Sequence, residues 1–85
     1  LTGNTPNPFV ETSKLSFHAP RTTFVRLAIT DVFGQEVALL ANNIVSAGTH
    51  EVEVNASELM ISSGVYYYTL TSNNYSITRK MIVVR

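Results

Sequence analysis

Eighty-five residues without cysteine, with 14% charged side chains and a formal net charge of zero, describe one small domain. A chain of this length buries only about 60–65% of the surface its unfolded form exposes, so its core has to be compact. The charge balance removes the electrostatic footprint of a nucleic-acid binder or of a protein adsorbed on an anionic membrane, and the missing cysteines exclude disulfides and thiolate metal sites.

Turn signals separate short β-branched and aromatic runs along the whole chain, the pattern of an all-β sandwich or barrel. Residues 1–12, with Pro6 and Pro8, cannot lie in a central strand; they read as an extended edge segment or the end of a linker, with the sandwich over 13–85. The first strand spans Ser13 to His18, where Leu15 and Phe17 alternate with Lys14, Ser16 and His18 before Pro20 closes it. The second, Thr23 to Asp31, puts Val25, Leu27 and Ile29 on one face and Phe24, Arg26, Ala28 and Thr30 on the other. Asp31-Val32-Phe33-Gly34 fits a type I turn with a left-handed glycine leading into a G1 bulge, so strands two and three form a hairpin.

The third strand, Gln35 to Ala41, contains good helix formers, but its brevity and the preceding turn favour a strand. Asn42-Asn43 and Ser46-Ala47-Gly48 mark loops, and strand four alternates His50, Val52 and Val54 with Thr49, Glu51, Glu53 and Asn55. Ala56 to Ser63 is a connection in which Leu59 or Met60 plugs the end of the core. Gly64 opens strand five, Asn73-Asn74 turns the chain, and the last strand, Arg79 to Arg85, runs to the end of the sequence. The longest apolar run, Val37 to Ala41, is far short of the roughly 20 residues of a membrane-spanning helix. No basic segment followed by an apolar one opens the chain, so the signal peptide of an exported protein would lie in a longer precursor, of which this sequence is a fragment.

No constellation of catalytic residues emerges. The chain lacks a Gly-x-Ser-x-Gly elbow, a phosphate-cradling glycine loop and a His-Glu-x-x-His pair, so it reads as a non-enzyme without cofactor or metal. His18 and His50 read as ordinary partly buried side chains, and Glu51 and Glu53 as a solvated strand face rather than a calcium site. Asn55-Ala56-Ser57 and Asn74-Tyr75-Ser76 match a glycosylation pattern too short to carry weight. The tyrosines are more telling. Val65, Tyr67 and Thr69 set against Tyr66, Tyr68 and Leu70 leave neither face of strand five properly polar. Met81-Ile82-Val83-Val84 is likewise apolar on both faces, although only one face of a sandwich strand meets the core. With Lys80 and Arg85 beside it, this strand is a candidate docking surface.

Pro6-Asn7-Pro8-Phe9, Val32-Phe33-Gly34-Gln35-Glu36-Val37, Ser46-Ala47-Gly48-Thr49-His50, Gly64-Val65-Tyr66-Tyr67-Tyr68 and Lys80-Met81-Ile82-Val83 occur in this order across nearly the whole chain. In that combination the sequence closely resembles the type A C-terminal sorting domain of cargo exported by the type IX secretion system. Val10 and Glu11 depart from the usual Asn-Pro after the phenylalanine, and Glu58 to Ser63 is longer than usual. The resemblance implies an immunoglobulin-like antiparallel β-sandwich of six or seven strands that stays folded in the periplasm. It further implies recognition by the outer-membrane translocon, then removal at the cell surface by a sortase-like peptidase that cuts upstream and can join the cargo to lipopolysaccharide. Under that reading the upstream cargo is a domain of the same precursor. Gly64, Tyr66, Tyr67, Lys80, Met81, Ile82, Val83, Val84 and Arg85 would contribute to recognition, while Gly34, Gly48 and Gly64 hold turns. The competing reading is an adhesive or carbohydrate-binding module of a secreted enzyme, in which Tyr66 or Tyr67 would stack on sugar.

Overall fold

The computed structural model describes residues 1–73 and 75–84; the expectations placed on Asn74 and Arg85 lie outside the described residues. The chain runs β1 (Thr12–Ala19), β2 (Thr23–Thr30), β3 (Glu36–Val45), β4 (Gly48–Asn55), α1 (Ala56–Leu59), β5 (Gly64–Ser72) and β6 (Tyr75–Val83). The pairings between these six strands are antiparallel and form two sheets, β1–β4 and β3–β2–β5–β6. Separating β1 and β4 from the strands that lie between and after them in sequence makes the two-layer, immunoglobulin-like arrangement.

The segment before β1 closes one side of this sandwich. Thr5 pairs antiparallel with Lys14 of β1, and Phe9 pairs in parallel with Val83 of β6, so a few residues cross from one layer to the other. Phe9 drops its ring into the core with 2% exposure. Alternation supplies most of the rest of that core: Leu15 and Phe17 from β1, Val25, Leu27 and Ile29 from β2, Val54 from β4, Tyr66, Tyr68 and Leu70 from β5, and Met81 and Val83 from β6, with Ala56 and Ile61 added by the β4–β5 connection. Each such side chain stabilises the fold by roughly 1.5–3 kcal/mol of apolar transfer.

The turns follow the local chemistry. Gly34 N–H donates to the Asp31 carbonyl at 3.1 Å, Asp31 Oδ1 accepts from the Phe33 and Gln35 amides, and Gly34 sits at φ +80°, which a glycine adopts without steric cost. Between β4 and β5, Asn55 caps the single turn of α1 by accepting from Glu58 N–H at 3.0 Å.

The structure departs from the sequence reading at several points: β6 ends at Val83 and does not run on through Val84, His18 is exposed instead of partly buried, and Ala28 is buried although alternation places it on the face opposite Val25, Leu27 and Ile29. β3 continues to Val45, and Asn42 and Asn43 lie opposite Arg26 and Val25 instead of in a loop. Register shifts between Leu27 and Ala28 and between Ile29 and Thr30 absorb extra β3 residues, so the ladder carries past the asparagines despite their turn preference. β6 likewise begins at Tyr75, because pairing with β5 extends to Ser72. Within the connection, Met60 is not a plug: it occupies the left-handed cap of α1 and is 89% exposed, while Ala56 and Ile61 are buried and Leu59 packs partly against the core.

Candidate functional site

The register of β5 against β6 sorts the apolar residues of the last strand. Tyr66 lies opposite Met81 and Gly64 opposite Val83 on the inner face, whereas Val65 lies opposite Ile82 and Tyr67 opposite Lys80 on the outer one. Met81 and Val83 are buried, Ile82 and Tyr67 are half-buried, and Val84, just past the strand, is 51% exposed. The outer corner formed by Val65, Tyr67, Lys80, Ile82 and Val84 is therefore an apolar surface with one cation in it.

Backbone groups along this part of β6 already have partners. Phe9 N–H donates to the Ile82 carbonyl at 3.1 Å and Val84 N–H to the Phe9 carbonyl at 2.8 Å. Asn7 uses both ends of its amide: its Oδ1 accepts from Ile82 N–H at 2.9 Å, and its Nδ2 donates to the Lys80 carbonyl at 3.3 Å. A partner that reads this region without displacing residues 7–9 has to read side chains, because the free edge that strand addition requires is occupied.

The initial segment is itself anchored by a buried phenol. Tyr68 is fully buried, and its hydroxyl donates to the Thr2 carbonyl at 3.0 Å. Burial pushes the phenol's pKa up, against the opposing pulls of the Asn4 backbone N–H and of Arg79. Arg79 Nε meanwhile donates to the Leu1 carbonyl at 2.9 Å. Tyr66 turns inward as well, and its hydroxyl donates to the Ser62 carbonyl four residues earlier at 2.9 Å, the tyrosine-corner contact of immunoglobulin-like sandwiches. Its ring, on a residue only 8% exposed, offers no open face for sugar stacking.

Gly34, Gly48 and Gly64 take positive φ, at +80°, +126° and +152°, the last two as the opening residues of β4 and β5. Neither histidine lies in a ligand set. His50 stacks on Phe17 with centroids 5.3 Å apart and its Nε2 donates to the Ser46 carbonyl at 2.7 Å, while His18 Nδ1 meets Thr49 Oγ1 at 3.4 Å. No cluster of three His, Asp or Glu side chains occurs among the described residues. A half-open cleft of about 500 Å³ does open at the far end, between Phe17, Arg21, Val25, Leu70 and Tyr75. Its floor residues Phe17, Val25 and Leu70 are each 5% exposed or less, so an occupant would touch mainly the rim.

Sequence reasoning passed over Phe33 as a surface residue, although it is 89% exposed.

Three comparisons bear on this geometry. The chain of PorZ, described as an essential surface component of the type IX secretion system of Porphyromonas gingivalis, aligns with 98% of this chain at TM-score 0.62 and 22% identity. The aligned part is only 11% of that chain, so the present sequence spans about a tenth of it. The first immunoglobulin domain of mouse SynCAM 2 aligns at TM-score 0.46 and 15% identity, over 91% of this chain and 87% of that one. No curated protein sequence matches significantly. Residues 5–84 match the family described as the secretion system C-terminal sorting domain, from the opening Pro6-Asn7-Pro8-Phe9 to the end of the last strand, and the chain belongs to that family of type IX export signals.

Proposed function

We propose that this domain directs a cargo, joined to it upstream in the same precursor, across the outer membrane, and that the outer corner of β5 and β6 is where the translocon reads it. The observation that carries this reading is the apolar outward side of the last strand: Ile82 and Val84 lie outside the core, beside Val65, Tyr67 and Lys80. Membership of the sorting family supports the export role. In this reading Tyr66, Met81 and Val83, all buried, act from within by setting the position of the outer face, and Gly64, at positive φ, opens β5. In the periplasm the domain travels folded; at the cell surface a sortase-like peptidase removes it by cutting upstream, leaving the cargo anchored or free.

Fusing these residues behind a periplasm-directed reporter in a bacterium with a working type IX system tests the reading. The fused reporter should reach the cell surface or medium, whereas the reporter alone should stay in the periplasm. Equal distributions would remove the sorting role. Mass spectrometry of the exported reporter would then locate the cut, and an intact fusion at the surface would dismiss the processing step.

A further inference from the structure

Residues 1–9 and β6 run in the same direction. Rising numbers along one meet rising numbers along the other: the Leu1 carbonyl accepts from Arg79 Nε, Asn7 reaches Lys80 and Ile82, and Phe9 pairs in parallel with Val83. On its other flank the same segment is antiparallel to β1, where Thr2 N–H donates to the Ser16 carbonyl and Thr5 exchanges bonds with Lys14. It lies as a strap between the edges of the two sheets. The chain upstream of Leu1 and the chain at Val84 therefore leave this contact in opposite directions along one axis, that of the strands.

Pro6 and Pro8 carry no N–H, so the backbone of the strap cannot by itself make a continuous ladder with β6. The Asn7 side chain supplies what is missing, because its amide offers an acceptor and donors as a peptide group does. Ile82 N–H donates to Asn7 Oδ1 at 2.9 Å and Asn7 Nδ2 to the Lys80 carbonyl at 3.3 Å. The Phe9 backbone adds its bonds of 3.1 Å to the Ile82 carbonyl and 2.8 Å from Val84 N–H. Those four bonds, counted among the described residues, run across the strands, and the Phe9 ring sits in the core beside them.

Tension between the upstream chain and the end of β6 acts along the strands, and so across these bonds instead of along them. The upstream ties at Leu1 and Thr2 yield first, which leaves Asn7 and Phe9 to carry the load. Their four bonds have to fail together, with the Phe9 ring dragged out of the core in the same event. Peeling β6 away from its end would break the same bonds one after another. We propose that the strap and β6 form a shear clamp, a load-bearing element that keeps the domain folded while its upstream cargo pulls against a last strand held by the export machinery. The proposal rests on the sorting reading and adds a mechanical task to it.

The chain has no cysteine, so thiol handles can be introduced singly for single-molecule pulling. Two directions are compared that share one handle at Val84→Cys. With the other handle on a residue added upstream of Leu1, the clamp is sheared. With it at Met60→Cys, 89% exposed ahead of β5, β6 is peeled from its end, because Gly64 and Val83 form the pair nearest both handles. At equal force the sheared domain should last about tenfold longer or more than the peeled one. Asn7→Ala should shorten the sheared lifetime by about five- to thirtyfold through its two lost bonds. Thr78→Val, which removes the 2.8 Å contact with Thr69 on the exposed side of the same strand, should leave that lifetime within about twofold. The comparison of directions needs no Asn7 variant, which keeps the test decisive if that variant unfolds. Equal lifetimes in the two directions, or a sheared lifetime that Asn7→Ala leaves unchanged, overturn the clamp, while an exported parental fusion keeps the sorting reading. A parental fusion that stays in the periplasm removes the sorting reading and the load with it.

Discussion

The two sides of the last strand have nearly the same chemistry and opposite fates. Met81 and Val83 are 0% and 2% exposed, yet Ile82 is only half-buried and Val84 stands 51% open. Hydrophobicity does not separate them; pairing does. Tyr66 and Gly64 across the ladder turn Met81 and Val83 toward the core that Leu27, Ile29 and Tyr68 fill, while Val65 and Tyr67 lie beside Ile82 and Lys80 on the side away from it. An apolar strand in a two-layer sandwich thus carries two kinds of information, one for folding and one for whatever meets it from outside.

The comparison breaks most visibly at its inner side. Met81→Ala should cost about 2–5 kcal/mol, since it removes a fully buried side chain and leaves a cavity in a well-packed core. Denaturant unfolding measures this, and a loss below about 1 kcal/mol would mean the inner side is not core.

A smaller effect comes from the phenol that anchors the initial segment. Tyr68→Phe should destabilise by about 1 kcal/mol through loss of the bond to the Thr2 carbonyl, and it should speed hydrogen exchange at Asn4 and Thr5. The sign with pH follows from the raised pKa. The fold favours the neutral phenol, so its contribution is full below the ordinary tyrosine value and fades as pH rises through and above it. The parent should lose stability on the alkaline side more steeply than Tyr68→Phe. Parallel alkaline profiles for the two proteins would remove that role.

Gly34→Val sharpens the other outward feature, the hairpin tip. Nothing lies within 4 Å of an added Cβ there, so the cost comes from φ +80° alone and should be about 1 kcal/mol or somewhat more. An unchanged melting temperature would show that the turn relaxes without penalty. Least of all should Val84→Ser matter to stability, within about 0.5 kcal/mol, because its side chain packs on little.

Much of this architecture was legible in the sequence because alternation reports burial directly. Val25, Leu27 and Ile29 against Phe24, Arg26, Ala28 and Thr30 told which face of β2 points inward, although Ala28 at the register shift is buried as well, and Asp31 with Gly34 told the turn. Other features depend on partners distant in the chain. The course of β3 through Asn42 and Asn43 follows from pairing with β2 across register shifts, which local propensity cannot register. That Asn7 and Phe9 hold the end of β6 is a contact between residues more than seventy positions apart. The outer corner was visible only as an ambiguity, a strand apolar on both sides, and the inward turn of Tyr66 was fixed by a hydroxyl that reaches the Ser62 carbonyl. The choice between Leu59 and Met60 as the plug stayed open because the adjacent apolar residues Leu59, Met60 and Ile61 gave no hint of which one the left-handed cap would turn outward.

The most direct test of the central claim pairs the two sides of β6 in one experiment. Met81→Ser with Val83→Ser and Ile82→Ser with Val84→Ser are compared in the reporter fusion, and each isolated domain is checked by thermal melting and hydrogen exchange. The inner pair should unfold the domain, whereas the outer pair should retain a folded sandwich with protected core amides and still leave the reporter in the periplasm. A folded outer-pair variant that exports its reporter as the parent does would contradict recognition through this face and leave the last strand a structural element alone.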